Sequence, residues 1–219
     1  MTVNPFNDRL TTHASKAGIA VSQGVCERLE AYFQLLTLWN QRINLTALPL
    51  SPPTDETFDR LLIEPLAAAR FSAEPPQAWF DLGSGGGSPA IPFKIAHPSA
   101  RLTMVESKTK KAAFLREAIR VLGLTDTSVI DERFETISDE GRASGLDLVT
   151  VRGVKSDPRL FRAIHRLLAP AGRLFLFHSA ETQPQVPLDF TTDQVARLGT
   201  AGDARVTILR PVFHVEQRR

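Results

Sequence analysis

Asp81-Leu82-Gly83-Ser84-Gly85-Gly86-Gly87-Ser88-Pro89 decides the fold. The short apolar run Ala78 to Leu82 leads into it, and a helical pattern, Ala90 to Ala96, follows it directly. Glycines permit positive φ and let a ligand approach the backbone, while the helix behind them offers unpaired N–H groups. Four glycines in five residues at a strand end therefore imply a nucleotide-like ligand. The stretch is neither a dinucleotide fingerprint, because Ser88 stands where a third glycine would fall, nor a P-loop, because no Lys-Ser/Thr pair follows.

Outward from this loop, short apolar runs alternate with helical ones. Strands are expected at Ala78 to Leu82, Leu102 to Glu106, Ser128 to Asp131, Leu146 to Val151, Arg173 to Phe177 and Ala204 to Leu209. Helices are expected at Ala90 to Ala96, Lys108 to Leu122 and Pro158 to Leu168, the last with Ser156 as its cap. The runs Leu148-Val149-Thr150-Val151 and Leu174-Phe175-Leu176-Phe177 are apolar on both faces, as in parallel strands covered by helices on both sides. The series reads as an α/β, doubly wound, mostly parallel sheet, in which ligands bind at the carboxyl ends of the strands.

Upstream, Val25, Leu29, Tyr32, Phe33, Leu36 and Trp39 recur at helical spacing behind a Ser22 cap, and Phe58 to Ala69 reads as another helix, bent at Pro65. The expected organisation is a helical extension, residues 1–75, packed on a Rossmann-like core, residues 76–219. The pattern leaves open whether Asp189 to Thr200 forms a regular element.

The chain has 219 residues, of which 42% are hydrophobic and 23% charged, so collagen-like, low-complexity and wholly disordered architectures are excluded. No apolar run is long enough for a membrane span, and a cytoplasmic location without membrane partners is expected. The single cysteine, Cys26, supports neither a disulfide framework nor a Cys-based zinc site, and it is read as a small buried hydrophobe. His13, His97, His165, His178 and His214 have no ligand spacing, so no metal is expected. Lys+Arg number 26 against 24 Asp+Glu, but the cations cluster in Arg101 to Arg120 and Arg152 to Arg173, which suggests one basic face.

Glu106 ends the second strand, where a carboxylate can accept hydrogen bonds from both ribose hydroxyls of an adenosine. Asp81 places a second carboxylate beside the ligand, which suits a cationic amino-acid tail better than a pyrophosphate. Together they favour S-adenosyl-L-methionine. The nicotinamide alternative also lacks a Tyr-x-x-x-Lys pair, since Tyr32 is the only tyrosine.

Trp39 to Ala47, the loop Asp81 to Pro92, the segment Val149 to Val154 and the Lys110 to Arg116 helix resemble the ribosomal RNA small subunit methyltransferase G family, also called the glucose-inhibited division protein B family. The resemblance runs in order from about residue 25 to about residue 177. It implies a class I S-adenosylmethionine-dependent methyltransferase acting on N7 of a guanine in the decoding-region loop of 16S rRNA. It also implies a cofactor site comprising Asp81, Gly83, Gly85, Gly87, Ser88, Glu106, Phe134, Glu135 and Arg152, with Phe134 and Glu135 flanking the adenine. The chain departs from the family pattern at Ser88 and Ala90, at Arg60-Leu61 and Glu64-Pro65, and at His178-Ser179.

Guanine N7 is a lone-pair acceptor without a proton, so no catalytic base is expected, and Arg152 is expected to hold the target guanine or the cofactor carboxylate. RNA phosphates are assigned to Lys108, Lys110, Lys111 and Arg116, and to the helical stripe Arg159, Arg162 and Arg166. The expected partner is 16S rRNA or the small ribosomal subunit, met by a monomer. A small-molecule methyltransferase and a non-catalytic rRNA-binding assembly protein remain alternatives.

Overall fold

A computed structural model describes residues 4–141, 143–199 and 203–213. Seven strands form one sheet: β1 (Trp79–Leu82), β2 (Leu102–Val105), β3 (Thr127–Ile130), β4 (Leu146–Arg152), β5 (Leu168–Ser179), β6 (Phe190–Arg197) and β7 (Ala204–Pro211). Their order is β3-β2-β1-β4-β5-β7-β6. The first five are parallel, and β7 runs antiparallel between β5 and β6. The order reverses beside β1, so the crevice at its carboxyl end is the place where a ligand fits.

The segment Asp189 to Thr200, open on sequence grounds, contains the edge strand β6, while Thr200 itself lies outside the described residues. Most residues of β6 are exposed and polar, which hides a strand from an apolar-run search and discourages edge-to-edge pairing.

Helices cover both faces. One layer holds α1 (Pro5–Lys16), α2 (Gln23–Asn40), α3 (Asp55–Phe58), a π-helical segment (Asp59–Ile63), α4 (Glu64–Ala69), α5 (Ala90–Ala96) and α6 (Thr109–Leu122). Their buried side chains share one cluster with Trp79, Leu148, Phe175, Val206 and Ile208 of the sheet. The opposite layer holds α7 (Phe134–Asp139) and α8 (Pro158–Leu167), packed on Leu82, Val149, Val151, Leu174 and Leu176. The helices of the two cation-rich segments, α6 and α8, lie in opposite layers, and both start at the carboxyl edge of the sheet.

Three local details differ from the sequence reading. The α8 cap is Asp157, whose Oδ1 accepts from the N–H groups of Arg159 and Leu160 at 2.9 and 3.1 Å, so Ser156 is not the cap. Helix α1 adds to the expected elements, with Asn4 as its cap and Pro5 in its first turn. The bend at Pro65 is a widening into π geometry: Glu64 N–H reaches back five residues to the Asp59 carbonyl.

Candidate active site

The glycine loop turns sharply because Gly83, Gly85 and Gly87 have φ of 74°, 54° and 86°. A Cβ at Gly83 would lie 2.5 Å from Val154 Cγ2, and one at Gly87 would strike Ile91, so these two are fixed by packing. At Gly85 the nearest such atom is 3.7 Å away, which leaves that backbone open to a ligand. Gly83, Ser84, Gly85, Gly86 and Ser88 line a cavity of about 410 Å³ with Lys111, Arg152 and Gly153.

The rest of that lining comes from the N-terminal layer: Leu36, residues 45–48, Arg60 and Leu61. Tyr32 donates its hydroxyl to the Gly86 carbonyl at 2.7 Å. Asn40 Oδ1 accepts from Leu45 and Thr46 N–H at 2.8 and 3.0 Å, which holds the following turn over the loop. Periodicity assigns α2 to packing alone and misses these residues as cavity lining; the resemblance across Trp39 to Ala47 is the available signal.

Glu106 is buried, and its two oxygens accept from Gly85 N–H at 2.9 Å and Lys108 N–H at 2.8 Å. It ties the glycine loop to the start of α6. Asp81 lies directly opposite Thr150 across the β1–β4 pair and accepts from its hydroxyl, which in turn accepts from Trp79 Nε1 at 3.0 Å. Asp81 Oδ2 is buried without a hydrogen-bond partner. Loss of hydration pushes this carboxyl up to about 6, against hydrogen bonds from Ser84 and Thr150 and the attraction of Arg152.

Arg152, at the end of β4, lines the cavity but already uses both terminal nitrogens. Nη1 donates to the Arg60 carbonyl and Nη2 to Ser88 Oγ, while Glu64 Oε2 lies 3.5 Å from Nη1. Ser88 Oγ donates in turn to the Leu61 carbonyl at 2.8 Å. Pro65 explains why those carbonyls are available. In a regular helix residue 65 would donate to the carbonyl of 61, but proline has no N–H, and the π register diverts Glu64 N–H from the Arg60 carbonyl to that of Asp59. Burial raises the Glu64 pKa and lowers that of Arg152, each opposed by the other's charge. Thus Ser88 and Glu64-Pro65 meet in one network.

The remaining expected site residues, like Asp81, Gly87 and Glu106, are not among those lining this cavity. Phe134 packs against the α7–α8 core, and Glu135 lines a second cavity with arginines; neither lines the glycine-loop cavity. Lys108 and Lys110 are exposed, and Arg116 lies 3.8 Å from Asp131. His178 bridges strands through Thr207 Oγ1 at 2.7 Å. Among the described residues no group of three His, Cys, Asp or Glu could hold a metal ion, and no helix is long and apolar enough to cross a membrane.

Fold and site together define a class I S-adenosylmethionine-dependent methyltransferase. The structure is similar to MtNAS solved as a mutant with S-adenosylmethionine (TM-score 0.58, 15% identity, 97% of this chain and 100% of that one). It is also similar to the mitomycin 7-O-methyltransferase MmcR (TM-score 0.56, 18% identity, 95% and 76%). The family model for GidB, rRNA small subunit methyltransferase G, matches residues 25–196, and the chain belongs to that family. The ribosomal RNA small subunit methyltransferase G of Chloroflexus aggregans is 38% identical over 176 residues, covering 76% of this chain and 72% of the relative. That of Pseudomonas entomophila is 32% identical over 210 residues, covering 93% and 94%.

Proposed function

We propose that the chain transfers a methyl group from S-adenosylmethionine to N7 of a guanine in the decoding-region loop of 16S rRNA, acting as a cytoplasmic monomer. The observation that carries the choice of atom is the cavity lining. Its titratable side chains are Arg60, Lys111 and Arg152, with no carboxylate, histidine or cysteine among the described lining residues. Methylation of an amino or hydroxyl group releases a proton that needs an acceptor, whereas N7 carries none.

The residues present fit the cofactor. Gly85 offers an open backbone, Glu106 a carboxylate held by two N–H groups, and Asp81 a buried oxygen awaiting a cation. When bound, S-adenosylmethionine supplies a methyl group already activated by its sulfonium. The protein's own tasks are then positioning and exclusion of water. Glu106 fixes the loop from the α6 side, Tyr32 from α2, and Arg152 through Ser88. Lys108 and Lys110 meet substrate phosphates beside the cavity mouth, with Lys111 at the lining itself.

The test is transfer of labelled methyl to deproteinised 16S rRNA and to intact small subunits, with the product mapped by cleavage specific for N7-methylguanine. One labelled guanine is expected. Label at another atom overturns the N7 assignment, and binding of cofactor without labelling of either substrate overturns the RNA methyltransferase assignment.

A further inference from the structure

A second cavity, about 440 Å³, lies between α7 and α8, lined by Arg133, Glu135, Arg159, Arg162, Ala163 and Arg166. Four guanidinium groups face one carboxylate. Arg133, Arg159 and Arg162 are exposed and form no side-chain hydrogen bond or ion pair among the described residues. These three like charges repel one another, with the Asp157 carboxylate attracting Arg159, so the arrangement favours an anionic occupant.

The shape narrows the choice. Residues 159, 162 and 166 share one helix face, and the buried Ala163 between them leaves a trough where a longer side chain would fill it. From 159 to 166 the helix rises about 10 Å, the length of about three stacked nucleotides at 3.4 Å each. Arginine forks also match phosphate oxygens two at a time. The first turns of α7 and α8 follow β3 and β4, so the trough opens at the same sheet edge as the glycine loop, but in the layer opposite α6.

We infer that this trough takes the RNA backbone flanking the target base, so that the substrate straddles the sheet edge, with lysines of α6 on one side and arginines on the other. Glu135 is the trough's counter-charge, which RNA must overcome. The inference rests on the rRNA methyltransferase assignment for the identity of the polyanion.

The test uses the full chain and deproteinised 16S rRNA, with affinity measured between about 50 and 200 mM salt. Removing two phosphate contacts in Arg159→Gln/Arg162→Gln should flatten the slope of log K against log salt by roughly 1.4 to 1.8, with cofactor affinity retained. Glu135→Gln should tighten RNA binding. An unchanged slope in the double variant overturns the inference, as does a Glu135→Gln variant that loses cofactor affinity without gaining RNA affinity. Retained rRNA affinity with weakened binding to intact subunits would assign the trough to an acidic protein and overturn the RNA assignment. If the double variant flattens the slope but wild type transfers no methyl, the trough stands and the enzymatic assignment falls. If wild type methylates and the double variant binds equally well, the reverse holds.

Discussion

At the scale of single residues, Ser88 couples two parts of the chain through one hydroxyl. Ser88→Ala removes the donor to the Leu61 carbonyl and an acceptor from Arg152, so a loss of about 1–3 kcal/mol is expected in urea unfolding. Pro65→Ala supplies a new N–H to that same carbonyl. The double variant should therefore lose less than the sum of the singles, and strict additivity would sever the proposed link. Asp81 gives a second prediction. Its folded carboxyl holds a proton up to about pH 6, above its ordinary unfolded range near 4. The native state binds more protons in that window, so this contribution to stability falls as pH rises through it, by about 3 kcal/mol in full. Asp81→Asn should gain on wild type between about pH 4.5 and 7 while cofactor binding weakens; parallel stability profiles would refute the assignment of Asp81.

Among elements, legibility follows pattern strength. The parallel strands show as apolar runs, and α6 and α8 as periodic faces, because burial on one or both sides writes itself into spacing. Helix α7 has only six residues, too few to show a period, so the orientation of Glu135 toward the arginines is hidden. The π-helical segment is equally hidden, since its distinction lies in which carbonyl each N–H meets. The glycine loop is legible as a site, but its roof depends on long-range packing of the segment after α2. Asn40→Ala removes the acceptor for Leu45 and Thr46 N–H. Exchange at those two amides should accelerate roughly ten- to hundredfold, and unchanged rates would show that packing alone holds the turn.

For the whole molecule, electrostatics depends on both layers together. Lys108→Glu/Lys110→Glu avoids Lys111 in the cavity lining and should weaken rRNA binding without weakening cofactor binding. Combined with the α8 variants, its loss in log K should add, because the two clusters share no partner across the sheet among the described residues. Strong non-additivity would argue that one cluster acts through the other. The shared cluster joining α1 and α2 to the sheet has a further consequence, for synthesis. Leu36 leaves the ribosome about 170 residues before Ile208, its fellow member of that cluster. At 5–20 residues per second, roughly 9–35 s elapse before the core can close. Throughout that interval the nascent amino-terminal helices carry an incompletely covered apolar stripe, making this end of the chain the part that most needs shelter while translation proceeds.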